Sequence, residues 1–226
     1  MNKNVLIIAA HPDDEILGCG GTAAKYVKAG YQVSSLILGE GITARDKKRD
    51  RLKNEDKIAK LKRDVYHANK KIGVLKTFVY DFPDNRFDSV PLLDIIKVIE
   101  KVKREILPSV IFTHFEHDLN VDHRIVYQAT ITATRPFRGE TVKEIYSYEV
   151  PSSTEWAYPL KFSPDVFFDV SQTMSFKTRA LKEYQNEMRG YPFPRSIKGI
   201  EAIAAVWGMK IGVRYAEAFQ AVRIIK

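Results

Sequence analysis

Apolar and polar positions follow two rhythms that take turns along this chain. Short apolar runs of strand length are each followed by a longer stretch in which apolar residues recur at helical spacing. The first run, Val5 to Ala10, breaks at His11-Pro12, and TAAKYVKAG then predicts a helix ending at Gly30. YQVSSLILGE predicts a second strand from Gln32 to Leu38. Residues 51 to 72 predict a long charged helix, with Leu52, Ile58, Leu61, Val65 and Ala68 on its apolar side and Gly73 as its stop. A third strand is expected from Lys76 to Asp81 and a third helix from Leu92 to Glu105. Pro108 precedes a fourth strand, SVIFTH, and DHRIVYQATITATR reads as a fourth helix. Strands alternating with helices over short connections predict an α/β fold, a mostly parallel sheet with helices on both faces.

The second half is less regular. Lys143 to Val150 and Asp165 to Val170 predict strands, and Gln172 to Glu187 predicts a helix with Ser171 as its N-cap. Residues 198 to 209 predict another helix and Ala216 to Ile225 a last strand. No linker, repeat or low-complexity segment divides the chain. Residues 1–226 are therefore expected to form a single domain, with this half as a C-terminal α/β extension on the same sheet.

Composition changes this picture little. The chain has 226 residues, 45% hydrophobic and 28% charged, which is ordinary for a soluble globular protein. One cysteine, Cys19, allows no intrachain disulfide and suits a reducing cytoplasm. The N-terminal apolar run is too short for a signal peptide, and no stretch approaches the ~18 apolar residues of a membrane span. Net charge is +8, and residues 45 to 71 hold twelve Lys and Arg against five acids. No nucleic-acid motif accompanies that excess. It reads first as a solvated helix face, and second as an anion-attracting rim beside a site.

Chemistry concentrates at two places. The first strand ends in HPDDE, where one imidazole and two carboxylates can serve a Zn²⁺ ion, and Pro12 stiffens the turn. The plain alternative is an acidic turn capping a helix. The fourth strand ends in THFEHDLNVDHR. Four of the five histidines fall at these two strand ends, and His67 is expected to face solvent from mid-helix. A parallel sheet can set the ends of strands one and four side by side, bringing His123 within reach of His11 and Asp14. Gly18, Gly20 and Gly21 do not form G-x-G-x-x-G, and the acids ahead of them would repel a pyrophosphate, which argues against a dinucleotide cofactor.

AHPDDEILGCGGT together with LNVDHR closely resembles the LmbE/PIG-L family of zinc-dependent deacetylases, which remove acetyl groups from N-acetylated amino sugars. IGV at 72–74, the FPDNRFD loop and AEAF at 216–219 extend the resemblance over nearly the whole chain. It implies a Rossmann-like sheet, a single zinc ion and amide hydrolysis. By that resemblance His11, Asp14 and His123 are metal ligands, Asp13 is the general base, and Asp122 supports the base machinery from beside the last ligand. Asp84 matches a position that often contacts sugar hydroxyls; Asp84 and Arg86 are candidate substrate contacts, and could equally form a turn with a surface ion pair. Where many members carry an oxyanion-stabilising histidine, this chain has Asn120, a neutral donor. His117 and His114 are the alternative sources of an imidazole. Arg63 is a further candidate to reach the site, and Tyr146, Tyr148 and Glu149 are candidates to line its pocket.

The expected partner is a small N-acetylated sugar. The basic segment opens in the loop after the second strand, on the side of the site, and suggests that the sugar is anionic: nucleotide-, phosphate- or lipid-linked. Neither nucleic acid nor a transmembrane segment is expected, and self-association follows from the resemblance alone. Two other readings stand beside this one: a zinc amidase with a non-sugar N-acyl substrate, and a metal-binding subunit that has lost catalysis, with Asn120 as its sign.

Overall fold

The computed structural model of this chain describes residues 3–159 and 161–226. Its first half alternates β1 (Asn4–Ala9), α1 (Asp14–Lys28), β2 (Gln32–Gly39), α2 (Glu55–Lys71), β3 (Lys76–Phe82), α3 (Leu92–Ile106), β4 (Val110–His114) and α4 (Val121–Ala133). Its second half adds β5 (Glu144–Tyr148), β6 (Val166–Asp169), α5 (Met174–Leu181), α6 (Ile197–Ile211) and β7 (Ala216–Ile224). All seven strands join one sheet in the order β3-β2-β1-β4-β5-β7-β6. Strands β1 to β5 run parallel, and β7 runs antiparallel to both β5 and β6. The expected α/β sheet, with its extension on the same sheet, is what forms.

The side-chain period of two sorts each buried strand into two cores. Val5, Ile7, Val33, Ile37 and Phe112 pack with α1, α2, α5 and α6 on one face. Leu6, Ile8, Leu36, Leu38 and Ile111 pack with α3 and α4 on the other. A strand buried on both faces reads as a continuous apolar run, which is why VLIIAA was legible. Truncating a fully buried residue such as Ile7 to alanine is expected to cost about 2–5 kcal/mol.

The strand order reverses at β1, which lies between β2 and β4. Pairing of Val5 with Val110 and Ile7 with Phe112 puts the carboxyl ends of β1 and β4 side by side. A crevice at such a switch point is where open α/β sheets bind ligands.

Several local expectations are corrected. Helix α1 begins at Asp14, not at Thr22, so all three glycines lie inside it. It kinks at Cys19, and the buried Glu217 carboxylate accepts the N–H groups of Gly21 and Thr22 at 3.0 and 2.6 Å. The glycines serve close packing: a Cβ on Gly18 would meet the Tyr148 ring at 2.2 Å, and one on Gly21 would meet Val170 at 3.1 Å. Leu52 lies before α2 and is 87% exposed, because the chain from Asp46 to Asn54 is tied into turns by its own side chains. Helix α5 stops at Leu181, and Ser171 bonds to Asp169 instead of capping it. Beyond Leu181 the chain turns so that Tyr184 reaches Glu15 and Glu187 reaches Arg45, long-range bonds that an amphipathic pattern does not encode.

Candidate metal and catalytic site

The segments after β1, β3 and β4 converge at the switch point. His11, with Asp14 in the first turn of α1, follows β1, Asp84 and Asn85 follow β3, and Asn120, with His123 in the first turn of α4, follows β4. One donor atom each from His11, Asp14 and His123 lies within 4.8 Å of the others. His123 Nε2 and His11 Nδ1 stand 3.3 and 3.4 Å from the same oxygen, Asp14 Oδ2. That carboxylate is fixed by the His11 backbone N–H at 2.9 Å.

Each imidazole is held from behind by a different acid. His11 Nε2 lies 2.9 Å from Asp122 Oδ2, and His123 Nδ1 lies 3.0 Å from Asp118 Oδ1. Asp122 also accepts the Phe87 N–H, locking the loop after β3 to the same carboxylate. Asp118 is itself gripped by the hydroxyls of Ser153 and Thr154 and by the Asn120 N–H. Burial would raise the Asp118 carboxyl, but His123 and the two hydroxyls hold it down at about 2.

This set fits a borderline divalent cation. Among the described residues His123 Nε2, which is buried, completes no hydrogen bond, although it faces the donor atoms of His11 and Asp14. A histidine whose outer nitrogen meets a carboxylate is oriented, and made more basic, at its inner nitrogen. Burial would lower the pKa of both imidazoles, yet the surrounding acids raise them: Asp122 and Asp14 for His11, Asp14 and Asp118 for His123. The same imidazoles pull Asp14 well below the usual carboxylate range, against the upward push of burial.

Asp13 stands beside this set with a strained backbone, φ 100° and ψ −29°. The left-handed region disfavours a residue with a Cβ. The carboxylate meets Arg195 Nη1 at 3.0 Å. Burial pushes the Asp13 carboxyl well up, and the Arg195 guanidinium opposes that push. Glu15, the other candidate base, turns into the core, where Tyr184 and Asn69 bond its Oε1. The site cavity, about 160 Å³, is bounded by His11, Asp13, Asp14 and Asp84 and closed by Asn120, Arg45, Glu187 and Arg195. It is a polar, acid-rich recess with two arginines on its walls.

The other sequence candidates fall on both sides of this wall. Asp84 is buried in it, with Oδ1 3.5 Å from His11 Nε2 and Oδ2 accepting the Ala44 N–H. Asn120 lines it too, but its Oδ1 caps α4 through Asp122 N and its Nδ2 donates to Asn85. Asp122 engages His11, whereas sequence reasoning placed it with the base machinery. Arg86 is not among the lining residues, and Asn85 stands there instead. His117 is half exposed beside Glu116. His114 is buried under His123, ring against ring at 4.0 Å, with its Nε2 accepting the Ala10 N–H. Burial pushes the His114 imidazole well below its usual range, and neither His114 nor His117 lines the cavity. Arg63 is exposed on α2, Tyr146 and Tyr148 pack in the core, and Glu149 bonds Trp207 elsewhere. Asp118 and Arg195 are the residues that sequence reasoning missed. Asp118 sits five residues before His123 in the same acidic motif, a readable signal; Arg195 lies in an irregular segment that offers none.

A mostly parallel α/β sheet carries at its switch point two imidazoles and one carboxylate, a donor set that fits a divalent cation, with the arginine-paired Asp13 beside them. The chain belongs to the PIG-L (LmbE-like) deacetylase family: the family described as GlcNAc-PI de-N-acetylase matches residues 6–134. It is 30% identical over 190 residues to the uncharacterized deacetylase YaiS of Escherichia coli K12, covering 81% of this chain and 91% of that one. The N,N'-diacetylchitobiose deacetylase of Pyrococcus horikoshii has a similar structure, with a TM-score of 0.77 and 21% identity over 98% of this chain and 84% of that chain. GalB of Pseudomonas putida KT2440, a 4-carboxy-2-hydroxymuconate hydratase, is similar too, with a TM-score of 0.75 and 20% identity over 99% and 98% of the two chains. One fold thus hosts more than one reaction, and the site must decide which.

Proposed function

We propose that this protein is a zinc-dependent N-deacetylase that hydrolyses the acetamide of an N-acetylated amino sugar. The observation that carries the reading is the buried Asp13 carboxylate at the cavity wall, beside the three donors of His11, Asp14 and His123. Those three residues would hold the metal, which supplies a Lewis acid that acidifies water and polarises the acyl oxygen. Asp13 takes the proton of the attacking water and returns it to the departing amine. A carboxyl raised by burial suits both halves of that shuttle, and Arg195 fixes where it points. Asn120 keeps one amide N–H, beyond the one given to Asn85, as a neutral donor for the developing oxyanion. Asp84 and Asn85 offer acceptors and a donor to sugar hydroxyls at the same wall.

The anionic character of the substrate is a finer part of the proposal. Arg45 borders the site cavity and pairs with Glu187 at 2.6 Å. Beyond that pair a second cavity, about 310 Å³, is lined by Lys57, Lys60 and Asn54 and also by the acids Asp46 and Glu187, and Lys60 pairs with Asp64. Much of the basic segment is spent internally, since Arg49 and Arg51 both bind the buried Glu40. The lysines beside the second cavity therefore carry the argument for a phosphate or carboxylate on the substrate. A KM that ignores added salt and the Arg45→Glu exchange would argue against it.

The deciding experiment is metal analysis of the purified protein, followed by acetate release from a panel of N-acetylated sugars and simple N-acetylated amines. Metal-dependent acetate release from sugars supports the reading. Release from amines alone assigns a non-sugar amidase, and no release from any member defeats the hydrolytic reading.

A further inference from the structure

The chain turns sharply after β5, and three successive side chains of that turn support the site from behind. Ser152 Oγ accepts the Nε–H of Arg195 at 2.6 Å, and the Pro151 carbonyl accepts it at 3.2 Å. Ser153 and Thr154 donate their hydroxyls to the two carboxylate oxygens of Asp118. Arg195 goes on to Asp13 at 3.0 Å, and Asp118 to His123 at 3.0 Å. Neighbouring residues of one turn thus serve opposite sides of the site. The backbone makes them diverge: Ser152 is left-handed at φ 67°, whereas Ser153 is at φ −145°. The left-handed region disfavours serine, and such a conformation persists where its surroundings over-determine it. Glu155 supplies that constraint. Its Oε1 accepts the Ser152 N–H at 2.6 Å, and its Oε2 accepts the Ser153 N–H at 3.3 Å. The spacing S-x-x-E is that of a capping box. Only the acid plays its usual part here, which leaves the Ser152 hydroxyl for Arg195.

We propose that the turn at 151–155 is one positioning element that holds the base and a metal-ligand histidine in register, with Glu155 keeping its two arms together; this rests on the reading of Asp13 as base and His123 as ligand. A base must stand within hydrogen-bond reach of the water it deprotonates. Misplacement by about 1 Å costs on the order of 100-fold in rate. Asp13 follows β1 and His123 lies on α4, so nothing along the chain ties one to the other. The turn supplies the tie through their supports. Ser152 aims Arg195, and Ser153 and Thr154 aim Asp118. Thr154 Oγ1 also accepts the Val150 N–H at 2.8 Å, which fastens the turn to the end of β5. Strand β5 pairs with β4, the strand that leads to His123, so the whole support shares one rigid sheet. Ser153, Thr154 and Asp118 are buried, which keeps their bonds from solvent. Glu155 is exposed and can be exchanged without opening the core.

The test reads the two arms separately in the full chain. Zn²⁺ affinity is measured by competition with a chromophoric chelator, and the Arg195 Nε–H signal by nitrogen-15 NMR, assigned by its loss in Arg195→Lys. Neither reading needs turnover. Ser152→Ala is expected to shift the Arg195 signal and to lower kcat for acetate release at least ~10-fold, with KM and Zn²⁺ affinity changed by less than ~2-fold. Thr154→Val is expected to lower Zn²⁺ affinity ~10-fold or more and to leave the Arg195 signal in place, and Thr154→Ser recovers the affinity. Glu155→Ala, which removes neither hydroxyl, is expected to move both readings. If Thr154→Val does not fold, Ser153→Ala removes the other hydroxyl on Asp118 and gives the same reading. Variants that lose thermal stability while both readings stay at the wild-type value overturn the proposal. So does a Ser152→Ala chain that loses as much Zn²⁺ affinity as Thr154→Val, or a Glu155→Ala chain in which either reading is unchanged. A wild-type chain that binds no Zn²⁺ overturns it together with the metal site. The expected pattern without acetate release from any substrate defeats the deacetylase reading and still supports the positioning element.

Discussion

Arg195 Nη1 donates to Asp13 Oδ2 at 3.0 Å, a bond between residues 182 positions apart. The same guanidinium is anchored through Nε to Ser152 Oγ at 2.6 Å and the Pro151 carbonyl at 3.2 Å. Its charge is thereby aimed at one carboxylate. Arg195→Gln is expected to lower kcat by about 100-fold and to change KM less, because a misdirected base loses rate before it loses binding. Arg195 also opposes the rise that burial imposes on Asp13. Its loss therefore moves the acidic limb of the pH–rate profile to higher pH, and Arg195→Lys restores part of the shift. Steady-state kinetics across pH measures both effects.

Asp13 and His123 separate chemistry from metal retention. Asp13→Asn keeps the ligand set intact and removes the base, so turnover falls by about 10²- to 10⁴-fold while bound metal stays stoichiometric. His123→Ala loses metal and turnover together. Metal content and acetate release on the same preparations check this; near-normal turnover by Asp13→Asn would falsify the base assignment.

Asp118 acts on the site through His123, at 3.0 Å from its Nδ1. Asp118→Asn leaves the three donors in place but weakens their grip. Metal affinity is expected to fall by about 10- to 100-fold, with activity recovered at high metal concentration. Competition with a chromophoric chelator reads the affinity directly.

Gly18 lies where α1 crosses the Tyr148 ring, and a Cβ there would approach that ring to 2.2 Å. Tyr148 is fully buried, with its hydroxyl donating to Ile8 O, so it has nowhere to retreat. Gly18→Ala is expected to cost at least about 1–3 kcal/mol and lower Tm by about 5 °C, measured by thermal denaturation.

Burial pushes the Glu149 carboxyl up to about 7, against the pull of the Trp207 N–H. In the unfolded chain it ionises near 4.5. Between those values the folded state holds the proton more tightly, so stability falls as pH rises through the window and levels off above it. The loss is on the order of 3 kcal/mol. Glu149→Gln removes this slope, which denaturant unfolding at pH 4.5, 6 and 8 reveals.

Most of the sheet was legible because its signals are local. Continuous apolar runs such as VLIIAA identify strands buried on two faces, and the alternation with amphipathic stretches implies parallel pairing. The clustering of His11, Asp14 and His123 was legible for a related reason: HPDD directly follows the first strand, and VDH opens the helix after the fourth. Positions that depend on distant contacts were not. The glycines at 18, 20 and 21 stand ahead of the helix that the local pattern predicts, yet they lie inside it, where Tyr148 presses on Gly18 and Val170 and Glu217 press on Gly21. Leu52 fitted a helical stripe and lies outside it.

The sequence by itself determined the α/β alternation and which loops carry imidazoles and carboxylates, since both follow from periods and neighbours along the chain. Tertiary structure alone decided the division of labour among the acids. Strand β1 pairing beside β4 is what sets Asp122 behind His11, and the fold of the irregular second half is what delivers Arg195 to Asp13. Such roles depend on a few ångströms between groups more than a hundred residues apart, and no periodicity within a segment records that distance.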